Sequence, residues 1–407
     1  MRKLNIPLER FKEVDISTEK LFCLLPLTFV FGKWLVSSFF LLFLILFLLK
    51  DRILLRQFNF TFHNSINWIL LFLWGGYISS KSDFNPGLNY FFGTIAAPYF
   101  LFIIIQNITI SRKYLILIFN LLFFSGVVLS FFSFYNLFQN DFNLSMRIGS
   151  IWADMNILSA YYLILFMFCL SFIINRKKEQ KIYLYVTVLV ILAMAIFLTQ
   201  TRGVWMALVL SLLVFFLKKP KYYFFILIVF GLLFFAFGNV IVFRFLTVKN
   251  FGSDLSSLGR LQAWIATISL LQNNLWTGYG FDSFLSLRDY AYTFYLVSVV
   301  HSHNTYLRSL LEMGLVGTVL YFSFLVKAIF YTFKIKRRPD SKDYRMFVDG
   351  LQLSFVSLLI VFMFEPYFSL YGCSTLAIWF LISIAYKINS NHKIDLNDVA
   401  QNPGLSN

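Results

Sequence analysis

Long apolar runs broken by short polar gaps are the dominant pattern along this 407-residue chain. Windows long enough to cross a bilayer lie near residues 20–32, 34–49, 66–80, 88–105, 114–138 and 157–175. Six more lie near 182–199, 203–217, 222–243, 304–333, 346–364 and 370–386. They predict an all-α polytopic membrane protein of about twelve transmembrane helices, the first two forming a hairpin around Lys33. Residues 244–303 are the long hydrophilic connection, and a loop of that length in a compact protein is usually functional. Within it Leu261, Trp264, Ile265, Ile268, Leu271 and Leu275 recur at helical spacing. That spacing predicts an amphipathic helix on the outer surface, beginning near Arg260 and ended by a turn at Gly278-Tyr279-Gly280. The expected organisation is helices 1–9 over residues 1–243, the loop with its surface helix over 244–303, helices 10–12 over 304–386, and a tail over 387–407. The tail is polar and is expected to lack order after Lys387.

Composition agrees with the pattern. The chain is 59% hydrophobic and only 13% charged, with a mean hydropathy of +0.73, whereas a soluble domain has roughly a quarter of its residues charged. Fifty-three Phe residues read as packing and lipid-facing surface. The net charge of +16 changes the picture more. In a soluble protein it would suggest nucleic acid, but here the basic residues sit in the gaps between spans. Arg176-Lys177-Lys178, Lys218-Lys219-Pro220-Lys221 and Lys334-Ile335-Lys336-Arg337-Arg338 all fall on one side if the spans alternate. The positive-inside rule explains the excess without a nucleic-acid partner and predicts both termini in the cytoplasm. Residues 139–156, 199–202, 244–303 and 365–369 then face outward. Cys23, Cys169 and Cys373 lie in apolar runs, with no metal spacing and no expected disulfide framework. The first twenty residues are charged and lack a small-residue cleavage pattern, so no cleavable leader is expected.

On that outer side three short polar strings stand at the edges of apolar stretches: Thr199-Gln200-Thr201-Arg202-Gly203, Gly259-Arg260, and His301-Ser302-His303-Asn304. Ionisable residues near bilayer depth are expensive to place and are functional candidates by default. A guanidinium fork gives bidentate bonds to phosphate oxygens, and a histidine takes a proton near neutral pH. Arg202 could equally snorkel to water from a span end, although Gly203 beside it would let a ligand approach the backbone. Arg260, read as opening the surface helix, would oppose the helix dipole there and so face a ligand anion. Arg147, Arg244 and Arg288 are weaker candidates of the same kind. Glu365 could accept a proton or orient His303, and Asp154-Met155-Asn156 precedes a span on the same side. His301 and His303 have a spacing that metal sites use, but the outer loops offer no HExxH and no Cys/His cluster, so no metal is expected. Nor is there a DxD pair, a P-loop or a GxGxxG, which leaves a nucleotide-powered reaction without support and no cofactor expected.

In order and spacing these strings resemble the bacterial O-antigen ligases, within the wider superfamily of O-antigen ligases and polymerases. The resemblance rests on Leu198-Thr199-Gln200-Thr201-Arg202 and on Ser257-Leu258-Gly259-Arg260 leading to Gly278-Tyr279-Gly280. It also rests on His301-Ser302-His303-Asn304-Thr305-Tyr306-Leu307, followed by Glu312-Met313-Gly314-Leu315-Val316-Gly317. It implies a metal- and ATP-independent glycosyltransferase of the bacterial inner membrane with its active site facing the periplasm. The implied donor is O-antigen polysaccharide on undecaprenyl pyrophosphate, and the implied acceptor is a sugar hydroxyl of lipid A–core. By motif position Arg202 and Arg260 would hold the pyrophosphate and His303 would act on the hydroxyl. Thr201, Asn304, His301, Glu365 and Asn156 are possible supporting residues. Met155 stands where the family often has Pro before the asparagine that corresponds to Asn156, which puts a role for Asn156 in doubt. An O-antigen polymerase would use the same donor with a lipid-linked acceptor. A lipid-linked-glycan transporter would instead show broken helices at matching places in two halves, and no such pairing is visible in the sequence.

Overall fold

The structure, a computed structural model, describes residues 23–31, 65–81, 84–107, 112–144, 146–151, 154–175, 182–217, 255–291, 301–336, 344–367 and 373–401, with Gly231, Gly238 and Val242. Among these residues there is no strand. The helices are α1 (Ser65–Lys81), α2 (Phe84–Phe91), α3 (Ala97–Asn107), α4 (Arg112–Gln139), α5 (Met155–Ile174) and α6 (Ile182–Leu198). They continue as α7 (Arg202–Leu217), α8 (Leu255–Asn274), α9 (Phe284–Ala291), α10 (Thr305–Lys336), α11 (Arg345–Val361) and α12 (Cys373–Gln401). Among the described residues, four helical stretches are long and apolar enough to cross a membrane: Gly87–Gln106, Arg112–Gln139, Met155–Ile174 and Thr305–Ile335. Shorter apolar helices occupy Ile182–Leu198, Arg202–Phe216 and Thr375–Ser390. The span expected near 34–49 lies outside the described residues, as does the one near 222–243 apart from Gly231, Gly238 and Val242. The one near 20–32 is described over 23–31, where Leu25–Thr28 form a short helix followed by a 3₁₀ turn at Phe29–Phe31.

Helix α5 forms the centre. It is apolar all round, so it has no face to give to water and is enclosed on every side. Helix α11 packs along it, with α6 beside it. Its few hydroxyls are paired with neighbours, as a dry interior requires. The Tyr161 hydroxyl lies 2.7 Å from Ser125 Oγ on α4, and Ser171 Oγ donates to the Met346 carbonyl on α11 at 2.7 Å. The aromatic excess fills the interior too: the Trp68 ring on α1 packs at a tilt against Phe324 of α10 and Trp379 of α12, at centroid separations of 4.3 and 5.1 Å. A single π-turn, Phe92–Ala96, joins α2 to α3. Pro98 follows it and has no N–H to offer the Thr94 carbonyl, so a wider turn absorbs the lost bond.

Three expectations need correction. The polar tail does not lose order at Lys387, since α12 runs on to Gln401. The Lys387 ammonium is buried and donates to the Gln106 carbonyl at 2.8 Å, which ties the helix down where the charge would have been expected to leave it.

The span at 304–333 is not one straight helix. Gly314, at φ 67° and ψ −177°, breaks α10. Breaking a helix strands backbone groups that a bilayer cannot satisfy, and here the turn after α8 satisfies them. Tyr279 and Gly280 donate their N–H groups to the carbonyls of Leu311 and Glu312 at 2.8 and 3.0 Å. Leu315 N–H donates to the Leu275 carbonyl at 2.8 Å, and Trp74 Nε1 donates to the Met313 carbonyl at 2.8 Å. Gly278 and Gly314, both at φ 67°, lie backbone to backbone with no room for a Cβ on either. The Gly-Tyr-Gly and Glu-Met-Gly strings are thus the two halves of one interlock.

The third correction concerns α8, which starts at Leu255, so Arg260 lies in its second turn rather than at its N-terminus. Its protein-facing side is Ala263, Ala266 and Thr267, while Leu261, Ile265, Ile268 and Leu275 of the expected apolar stripe are exposed. Small residues face the protein because the helix lies close to α10, where Leu311 packs against them.

Candidate functional site

A tight turn between α6 and α7 begins the site. Gln200 takes a left-handed conformation there (φ 49°), and its side-chain amide donates to the carbonyls of Leu144 and Met146 at 2.7 and 2.8 Å. Residues 146–150 are thereby drawn across the end of α6, where Ile148 N–H caps the Leu198 carbonyl at 2.9 Å. The drawn-in segment delivers Arg147. Its Nε donates to the Thr199 carbonyl at 3.0 Å, and its Nη2 donates to Asn156 Oδ1 at 2.7 Å and Thr201 Oγ1 at 3.1 Å. Asp154 caps α5 by accepting the N–H groups of Asn156 and Ile157, which fixes where Asn156 stands. Asn156 Nδ2 then donates to Glu365 Oε1 at 3.0 Å.

Glu365 is the hub. It is 5% exposed and sits in the turn after α11. Arg260 from α8 also donates to Oε1, at 3.0 Å, and His303 Nδ1 lies 3.0 Å from Oε2. Thr305 Oγ1 donates to the Glu365 carbonyl at 2.6 Å, and Thr305 N–H to the Phe362 carbonyl at 2.7 Å, so the start of α10 is bolted to the end of α11. Burial works to raise the Glu365 pKa, but the His303 hydrogen bond and the His303 and Arg260 charges outweigh it and hold the carboxyl below its ordinary range. His303 itself is left-handed at φ 47°, a conformation that non-glycine residues adopt at a cost and that clusters at functional sites. His301 packs on it with ring centroids 4.2 Å apart and accepts the His303 N–H on Nδ1 at 3.3 Å. Burial, then the neighbouring positive charges, pushes the His301 pKa down to about 3, so this imidazole stays neutral.

Most of the residues expected at the site are brought together: His301, His303, Arg260, Glu365 and Asn156 directly, and Thr201 through Arg147. Arg202 reaches the same helix, since its Nη2 donates to Ser257 Oγ at 3.3 Å and Ser257 lies one turn before Arg260 on α8. It opens α7, where a cation opposes the macrodipole and the local field favours an arriving anion. Two roles change. Asn304 is the cap of α10, its Oδ1 accepting the N–H groups of Tyr306 and Leu307 at 2.9 and 3.0 Å. Gly203 makes room for Phe364 rather than for a ligand, because a Cβ there would lie 2.7 Å from Phe364 Cβ.

Glu365 joins the two histidines, unlike anything the outer loops offer in sequence, to make three ligand atoms within 4.8 Å of one another. A divalent cation among them would break the His303–Glu365 bond and sit beside the Arg260 guanidinium, which already holds the other carboxylate oxygen. The geometry suits hydrogen bonding better than coordination.

Two arginines carry more than their sequence context indicated. Arg147 is a weak candidate in sequence because nothing near it constrains it, and its side-chain partners lie 9 to 54 residues away. Arg308 went unremarked, though an Arg four residues before Glu312 in an apolar span is a legible signal of a buried pair. That pair is formed at 2.6 Å, and Asp282 adds a second carboxylate at 3.3 Å.

A helical membrane protein that gathers a carboxylate-bound histidine and arginines at one end of its bundle has the parts for acid–base chemistry on an anionic ligand. Over residues 187–322, about a third of the chain, it matches the family model described as O-antigen ligase. The match supports the placement in the O-antigen ligase and polymerase superfamily, a group of membrane proteins of glycosyltransferase type. It covers the Arg202, Arg260 and His303 strings and stops short of Glu365. No curated protein matches the chain.

Proposed function

We propose that this protein is an O-antigen ligase of the bacterial inner membrane. It transfers an undecaprenyl-pyrophosphate-linked polysaccharide to a sugar hydroxyl of lipid A–core on the periplasmic face. The observation that carries the reading is His303, held by Glu365 and flanked by Arg260, inside a segment that matches the O-antigen ligase family. His303 Nε2 takes the proton of the acceptor hydroxyl as that oxygen attacks the anomeric carbon. The bond from that carbon to the pyrophosphate breaks, and the electron pair leaves on a phosphate oxygen. Arg202 and Arg260 meet the charge developing there. Attack opposite the leaving group inverts the anomeric centre. The donor is already activated, so the reaction draws on no nucleotide.

The test is the lipopolysaccharide of a deletion strain. Core without polysaccharide, with glycan accumulating on the polyprenyl carrier, is the expected result. Core bearing a single repeat unit would show a polymerase instead. Purified protein with carrier-linked glycan and lipid A–core should turn over in the presence of a chelator. Loss of turnover restored by Mg²⁺ or Mn²⁺ would reassign His301, His303 and Glu365 to a metal.

A further inference from the structure

A general base must present a lone pair, and neutral imidazole presents only one. Which nitrogen carries it depends on what the other nitrogen is bonded to. Around His303 that choice traces back through three residues to a group that cannot change polarity. Arg147 is a pure donor. Its Nη2 meets Asn156 at 2.7 Å, so the atom facing it must be the amide oxygen. The Asn156 amide cannot then flip, and its NH₂ must face Glu365, 3.0 Å away. Glu365 Oε1 receives that donor together with Arg260, also at 3.0 Å, and the guanidinium charge keeps the carboxyl ionised, so that both of its oxygens are acceptors. Oε2 must therefore accept from His303 Nδ1.

We infer that Arg147 and Asn156 are positioning residues whose hydrogen-bond polarity fixes His303 with its proton on Nδ1 and its lone pair on Nε2. The same geometry assigns the opposite tautomer to His301. Its Nδ1 accepts the backbone N–H of His303, so its proton resides on Nε2. Two histidines two residues apart are thereby held in complementary states. The catalytic consequence rests on the ligase reading, whereas the tautomers do not. Met155, where the family often has Pro, leaves this arrangement intact, because Asp154 rather than the residue at 155 fixes the start of α5.

The chain has four histidines, so a ¹⁵N-histidine spectrum of the full-length protein in detergent can be assigned by single substitutions. The expected result is Nδ1–H for His303 and Nε2–H for His301. Asn156→Asp keeps the shape but turns the donor facing Glu365 into an acceptor. It should shift His303 away from Nδ1–H and lower kcat by roughly ten- to a hundredfold. KM for the carrier-linked donor should stay within about threefold, because neither arginine of the phosphate site has changed. Asn156→Leu removes the donor without adding charge and should give a smaller change in the same direction. Nε2–H at His303 in the wild-type protein would overturn the assignment. A His303 signal indifferent to both substitutions would overturn the relay. Absence of transfer by a wild-type protein that shows the expected tautomers would sink the ligase reading and leave this inference standing.

Discussion

Two buried carboxylates, each gripped by an arginine, lie near the start of α10, and they are put to different uses. Glu312 is 1% exposed, and its partner Arg308 is one turn back on the same helix, with Asp282 closing the far side. Asp282 N–H donates to Glu312 Oε1 at 3.2 Å, so the cluster pins the turn that also interlocks Gly278 with Gly314. Glu365 is as deeply buried, but the groups on it remain open: the His303 and Arg260 side chains each keep 23% of their surface. Its contacts come from three separate parts of the chain, and the histidine on it is strained. Burial of charge therefore does not mark the reactive centre. An ion pair closed on itself fastens the fold, and one that leaves donors and a lone pair facing outward can meet a ligand.

The comparison breaks first at His303. His303→Ala should reduce transfer by about 10²- to 10⁴-fold, the usual contribution of a general base. Retention of the carrier-linked donor should persist, because in the proposed mechanism the arginines hold it. Transfer rate and donor retention measured side by side decide the point. A variant that loses both would place His303 in the phosphate site and leave Glu365 as the first candidate base.

On the other side, Arg308→Ala should damage folding rather than chemistry. It leaves Glu312 buried without its charge partner, a loss of about 3–5 kcal/mol. The protein should fail to accumulate in the membrane, whereas Arg308→Met with Glu312→Leu, which removes both charges, should recover much of the level. Normal accumulation of Arg308→Ala, with transfer lost, would move this cluster into the active site.

Much of this contrast was legible in the sequence, and what was not has physical reasons. The length of the continuous apolar runs locates helices such as Arg112–Gln139 and Met155–Ile174 to within a few residues, because a bilayer enforces length and polarity together. The break at Gly314 was hidden, since the backbone groups that compensate it come from residues 275–280, in a different helix–turn unit. The exposed stripe on α8 was read as a single apolar face. Alanines do not stand out in such a pattern, yet close packing against α10 selects them. Arg202, Arg260 and His303 announced themselves as charges in polar strings. Glu365 is legible as a residue that could orient His303, but its bonds to Arg260 and Asn156 are not, because those residues lie 105 and 209 positions away and only the fold brings them together.

The arginines should sharpen the comparison further. Arg202→Lys and Arg260→Lys keep the charge but lose the planar fork, so each should lower transfer by roughly ten- to a hundredfold with the protein still accumulating. Arg260→Lys should be the worse of the two, since Arg260 also supplies one of the donors on Glu365. Near-wild-type rates in both would reduce the phosphate site to diffuse electrostatics.

The smallest effect expected is a dependence of stability on pH that the Glu365 cluster sets through its second histidine. The His301 pKa is depressed from 6.5 to about 3 by burial and by adjacent positive charge. The unfolded chain therefore binds a proton between those values that the folded chain refuses. Stability is then fully present above 6.5 and falls as pH drops toward 3, by at most about 1.4 kcal/mol per pH unit. Glu365 behaves differently. Its carboxyl is held below 4.5, so its contribution persists through mildly acid conditions and is lost only as pH falls through the lowered value. Between pH 6.5 and 5 the two groups separate, because, of the pair, His301 alone lies between its folded and unfolded values there. His301→Phe should flatten the decline of Tm across that interval, and Glu365→Gln should leave its slope in place while lowering Tm throughout. A Tm profile between pH 7 and 5 that His301→Phe leaves unchanged would mean that the histidine is protonated without resistance, and that the polar cluster is wetter than its packing indicates.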